Sequence, residues 1–153
     1  MITVDARTIA ADVDRCFAHA ADVERWPEWL AHYRWVRFLE RRERGGLVEM
    51  AAWRPFGALR WPTWWVSEMT LERDVPRVRY RHVRGITTGM DVAWDFAPCP
   101  EGTRVTITHR WNGPRWPVVG ALAAAAVIGP VFVHGIASRT LAGIARQAQE
   151  AER

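Results

Sequence analysis

Hydrophobic and polar residues alternate along most of this chain with the two-residue period of strands that bury one face. Residues 2–9 (ITVDARTI) alternate well enough for a first strand. Asp12 or Asp14 then offers an N-cap to a short amphipathic helix carrying Val13, Phe17 and Ala20. Asp22 opens a second short helical run, DVERWPEWL, which Pro27 is expected to interrupt or bend. Tyr33 to Arg44 reads as a strand ending in a turn at Gly45-Gly46. Residues 47–54 read as its return strand, broken at Pro55-Phe56-Gly57.

The pattern then sharpens. Thr63, Trp65, Ser67, Met69 and Leu71 share one face, opposite Trp64, Val66, Glu68, Thr70 and Glu72. Val78, Tyr80 and His82 oppose Arg77, Arg79 and Arg81, while Met90, Val92, Trp94 and Phe96 oppose Asp91, Ala93 and Asp95. After a turn over 98–102, the strand 103–111 groups Val105, Ile107, His109 and Trp111. These strands predict an antiparallel meander with one wet and one apolar face. From Trp116 the pattern becomes helical, and Pro130 is expected to divide it into roughly 117–128 and 131–149. The order predicts an α+β domain over 1–153: a curved antiparallel sheet of about seven strands closed against a long C-terminal helix. A single helical layer over so curved a sheet is expected to leave a cavity.

Composition narrows the chemistry. The 153 residues are 49% hydrophobic and 25% charged, with a net charge of +4 and five His. Every one of the 21 basic residues is Arg. Without Lys there is no internal amine for a Schiff base or pyridoxal cofactor and no phosphate-binding P-loop Lys. No cofactor is expected. Cys16 and Cys99 stand far apart without metal-ligand spacing, and the first residues show neither a basic n-region nor an apolar h-region. A reduced, cytoplasmic protein is the expectation. Ten Trp against two Tyr point to an aromatic-lined interior.

The element order, the run D-x-x-x-W-P-E-W-L at Asp22–Leu30, Tyr33 at the second strand, T-W-W-V-S at 63–67, A-W-D-F at 93–96, G-T-R-V-T at 102–106 and R-T-L-A-G-I-A at 139–145 carry a resemblance. Together they resemble the helix-grip fold of the START/Bet v 1-like (SRPBCC) superfamily, in particular its polyketide cyclase/dehydrase branch of aromatase/cyclases. The similarity spans nearly the whole chain. It implies a hydrophobic, aromatic or polyketide-like ligand in an internal pocket, with aldol cyclisation and dehydration as the activity of the enzyme members. It also admits a non-catalytic lipid or quinone carrier or chaperone. An acyl carrier protein is the partner that would deliver a polyketide chain. Aromatase/cyclases carry an inward Arg on the strand occupied here by 63–71; its place falls on Met69, which cannot polarise a carbonyl.

The inward polar set is then Tyr33, Ser67, Tyr80, His82 and His109, with Thr140 from the final helix. A carbonyl-condensing site needs a base and a donor to the developing enolate. His109 as base with Tyr33 or Ser67 as donor meets that need, and interior hydrogen bonding is the competing role for both His. Trp65, Trp94 and Met69 would shape the ligand, while Trp26, Trp29, Trp61 and Trp64 are expected in the scaffold or rim. No third inward His, Cys or carboxylate completes a metal set. The Arg stripe of 77, 79 and 81 is expected to pair with Glu68, Glu72 and Asp91 on the solvent face, not with nucleic acid. Residues 116–136 contain only His134 as an ionisable group and are long enough to span a bilayer. Their Pro, Gly and Ala content favours a helix closing the cavity, with peripheral membrane contact at Trp116–Ile128 as the alternative.

Overall fold

The alternating segments assemble into one antiparallel sheet in a computed structural model that describes residues 1–56, 59–113 and 130–150. The strands are β1 (Ile2–Ile9), β2 (Tyr33–Arg42), β3 (Gly45–Phe56), β4 (Leu59–Glu72), β5 (Arg77–Gly85), β6 (Asp91–Cys99) and β7 (Gly102–Arg110). Their order across the sheet is β1-β7-β6-β5-β4-β3-β2, every pairing antiparallel. Helices α1 (Val13–Ala21) and α2 (Trp26–Trp29) lie between the two edge strands in sequence, and α3 (Pro130–Glu150) follows the sheet. This is the helix-grip arrangement: α3 packs against β1 and α1, and Leu141, Ile144, Ala145 and Ala148 are buried in a core shared with Val78, Val105 and Ile107. The expected second half of the C-terminal helix is α3; the expected helix over 117–128 and the contact at Trp116–Ile128 lie outside the described residues.

Asp12 is the N-cap of α1, its carboxylate accepting from the Arg15 N–H at 2.8 Å. The second helical run divides differently from expectation. A 3₁₀ turn over Val23–Arg25 precedes α2, and Pro27 stands in the first turn of α2, where its missing N–H has no partner to lose. Pro27 therefore starts a helix and does not break one. Gly143 lets α3 approach this region closely, because a Cβ there would run into Leu30.

Two hairpins correct the sequence reading. Arg42 pairs with Gly45, so the β2–β3 turn is Glu43-Arg44 and the two glycines already belong to β3. They are required there by conformation and by space. Gly45 has φ of 122°, and a Cβ on it would collide with the Met69 carbonyl oxygen of β4. Likewise Pro55 does not end β3. The β3–β4 ladder continues through Trp53↔Pro62 and Pro55↔Arg60 to Phe56↔Leu59. β2 pairs only as far as Ala52, and β5 only as far as Trp65. Beyond those residues the hairpin is a bare two-stranded arm, whose outer edges ask nothing of a proline nitrogen.

On the outer face, Arg77 pairs with Asp95 at 2.5 Å, Arg79 with Glu72 at 3.5 Å and Arg81 with Asp91 at 2.8 Å. Glu72 and Asp91 are expected partners, and Asp95 replaces Glu68 because the β5–β6 register sets Arg77 opposite Asp95. Nearer the arm, buried Glu49 accepts from the Trp35 indole at 3.0 Å and from Arg37 at 2.7 Å. Burial opposes its ionisation, but hydrogen bonds from Trp35, Arg37 and Trp64 outweigh that and hold its pKa below the usual range. Arg34 stacks between Trp35 and Trp53, 4.7 Å from each ring.

Candidate functional site

Antiparallel pairing brings one end of every inner strand to a common mouth. Tyr33 opens β2, Met50 lies at the middle of β3 and Trp65 in the first half of β4. Tyr80 and His82 lie around the middle of β5, Met90 just before β6 and Val92 at its start, and Ile107 and His109 late in β7. All of them line a single cavity, which Val133, Ile136, Ala137 and Thr140 of α3 cover. The cavity has a volume of about 70 Å³ and opens at its mouth to solvent.

The walls are aromatic. Trp26 meets Tyr33 edge-on at 5.2 Å between ring centroids and lies 5.7 Å from Trp94. Tyr33 in turn contacts Trp65 at 6.3 Å, and Trp65 stacks on the His82 imidazole at 5.8 Å with 11° between planes. These flat surfaces suit a planar or conjugated ligand.

Set into the walls are a few polar groups. His82 Nδ1 lies 2.5 Å from the Thr87 hydroxyl, in a loop held by the Met90 N–H on the Thr87 carbonyl and by the Trp111 indole on the Thr88 carbonyl. His32, behind Tyr33, lies 3.0 Å from the Thr140 hydroxyl through Nε2. That hydroxyl donates to the Ile136 carbonyl at 2.8 Å, so Nε2 of His32 carries the proton and donates. Two other polar atoms of the lining, Tyr80 Oη and His109 Nδ1, are buried and have no hydrogen-bond partner among the described residues. Such orphans are rare, and each costs on the order of 1–3 kcal/mol when left unpaired.

Burial sets the charge state. It pushes His82 down to about 3, with His109 nearby adding to the effect, and His109 down to about 4. His32 falls to about 4 through burial and, secondarily, the charge of Arg139. The Tyr33 and Tyr80 phenols are both raised by burial. At neutral pH the cavity is therefore polar in places but uncharged. Among the described residues no group of three or more His, Cys, Asp or Glu side chains converges as a metal site.

Of the residues singled out by sequence, Tyr33, Trp65, Tyr80, His82, Trp94, His109 and Thr140 line the cavity, and Ser67 and Met69 do not. Both of the latter point inward and are buried, but farther from the mouth, and Ser67 Oγ has no partner there among the described residues. The place compared with an inward Arg is thus core packing; Trp65 is the β4 side chain that reaches the cavity. Trp26, expected in the scaffold or rim, is 1% exposed and forms part of the wall. His32 and Thr87 escaped the sequence reading. Each acts through a partner brought close only by folding, His32 across 108 positions to Thr140 and Thr87 from a loop.

Comparison with known proteins gives this geometry a context. Residues 9–131 match the family described as polyketide cyclase/dehydrase and lipid transport. The "Putative polyketide cyclase" of Streptomyces cyaneus is 33% identical over 103 residues, 67% of this chain and 66% of that protein, just under two thirds of its length. Among solved structures, the Zhui aromatase/cyclase from Streptomyces sp. R1128 superposes with a TM-score of 0.85 at 17% identity, covering 100% of this chain and 96% of its own. A protein of Thermus thermophilus superposes at 0.82 with 20% identity, covering 100% of each chain. At these identities the superpositions establish the fold.

Proposed function

Because the chain belongs to the polyketide cyclase/dehydrase and lipid-transport family, we propose that its cavity binds an aromatic or polyketide-like molecule bearing carbonyl or phenolic oxygens, and folds it toward aldol cyclisation and dehydration. The observation that carries the reading is the pairing of aromatic walls with the two unsatisfied lining atoms, Tyr80 Oη and His109 Nδ1. A pure hydrocarbon would leave both unpaired. A ligand with oxygens along a conjugated or poly-β-keto chain would satisfy them while its planar parts lie against Trp65 and Trp94.

In this reading His109, neutral at physiological pH, takes a proton from a methylene between two carbonyls as the new carbon–carbon bond forms. It returns that proton to the alkoxide oxygen so formed; in the dehydration it takes the second proton of the same carbon and passes it to the new hydroxyl, which leaves as water. The low pKa of His109 makes its protonated form a ready acid for that second step. Tyr33 and Tyr80, held as phenols by burial, donate to the oxygens on which negative charge develops.

The same low pKa values favour a second reading, a carrier of a lipid or quinone, since imidazoles at about 3 and about 4 are better hydrogen-bonding partners than bases. The discriminating experiment compares the protein with His109→Ala and Tyr33→Phe on a poly-β-keto substrate, measuring turnover and ligand affinity side by side. Loss of turnover with affinity within a few fold supports the cyclase. Changes in affinity alone assign the cavity to a carrier.

A further inference from the structure

The molecule is polarised along the strand direction. At the end away from the cavity, the segment after β1 and each connecting turn carry a carboxylate: Asp12, Glu43, Asp74 and Glu101. Toward the mouth, the strand acids are Asp5, Glu49 near the middle of β3 and Asp91, and each is already engaged. Asp5 is buried against His134, Glu49 is buried under Trp35 and Arg37, and Asp91 is paired with Arg81. The sequence from Met50 to Ser67 contains no Asp or Glu, and none occurs between Glu101 and Glu150. Exposed guanidinium groups at the mouth end include those of Arg60 and Arg84, and the exposed carboxylate of Asp91 is taken up by Arg81.

Exposed apolar side chains gather at the same end. Leu59 and Trp61 of the arm are 71% and 66% exposed, and Ile2, Val4, Trp64 and Ile86 are exposed beside the mouth. Trp side chains among Arg, with no unpaired carboxylate at that end among the described residues, match the chemistry of an anionic lipid surface. There the indole sits at the headgroup level and each guanidinium gains from the negative potential. An acidic protein would meet the same charges, but it offers no matching place for Leu59 and Trp61 at the tip of an arm.

We propose that the cavity-mouth end, led by the β3–β4 arm, docks on an anionic bilayer and so opens the cavity toward the membrane. This goes beyond the reading of the cavity itself, and its test needs no ligand. The protein is sedimented with phosphatidylcholine vesicles and with vesicles containing roughly a third phosphatidylglycerol. It is expected to pellet with the anionic vesicles at low salt and to be released as salt is raised. Leu59→Ser combined with Trp61→Ser should weaken binding by about tenfold. Arg60→Glu combined with Arg84→Glu should weaken it at least as much, about tenfold or more. Val75→Ser, an exposed apolar site at the opposite end, should sediment like the native protein. Thermal melts of each variant check that folding is unaffected. Failure of the native protein to pellet overturns the proposal, as does equal sedimentation of the arm variants. Capture of an acidic protein at these residues without vesicle binding would give the surface to a protein partner and also overturn it.

Discussion

Three neutral imidazoles in the interior make this fold sensitive to mild acid. In the unfolded chain each His titrates near 6.5, whereas His32 and His109 are held at about 4 and His82 at about 3. Between those values the unfolded chain binds protons that the folded chain does not. A base whose folded pKa is lowered costs stability as pH falls, so the loss begins below about 6.5 and continues toward 4. At pH 5.5 the difference is about 2.7 protons, a slope of roughly 3.7 kcal/mol per pH unit. From pH 7 to 4.5 each group contributes about 2.4 kcal/mol, or about 7 kcal/mol together, comparable with the whole stability of an ordinary domain. His19, also lowered by burial, adds in the same direction. Urea titrations at half-unit intervals between pH 7 and 4.5 measure the slope. His109→Gln should flatten it by about 1.2 kcal/mol per unit near pH 5.5. A native slope below that of a single proton, or one unchanged by His109→Gln, refutes the picture of neutral buried imidazoles.

Two further substitutions test separate parts of the structure. Tyr80→Phe removes a buried hydroxyl that has no partner among the described residues, so the ligand-free protein should gain about 1 kcal/mol in urea unfolding while losing about fivefold or more in affinity for an oxygen-bearing aromatic ligand. A loss of stability would mean that the hydroxyl is satisfied in the folded protein. Gly45→Ala combines a φ of 122° with a collision against the Met69 carbonyl. It should cost about 2–4 kcal/mol, and a cost under about 1 kcal/mol would show that the β2–β3 turn lies elsewhere.

The sheet was legible because alternation sets which face a residue occupies. Val78, Tyr80 and His82 are buried while Arg79 and Arg81 are exposed, and Met90, Val92, Trp94 and Phe96 are all interior. Alternation is silent on depth along the strand, which is why Ser67 and Met69 share the inward face of Trp65 yet miss the cavity. Register supplies that depth, and register depends on long-range pairing. The same limit explains Gly45-Gly46, a turn signature that instead answers the close approach of β4 at Gly45 and of β2 at Gly46. His32 illustrates a third case. Its partner Thr140 lies on α3, and no short-range pattern connects a residue before β2 with one in the final helix.

The bare arm carries a further consequence. A ladder without outer neighbours exposes unpaired N–H and C=O groups on both flanks, the arrangement that invites a strand from another molecule to add on and start an aggregate. Within the arm, Pro55 and Pro62 stand on the two strands and have no N–H to offer. Each interrupts the row of donors on its own flank, so an incoming strand would find gaps in its ladder on either side. The prolines that look like breaks in the sequence thus leave the hairpin intact and protect it from its own edges.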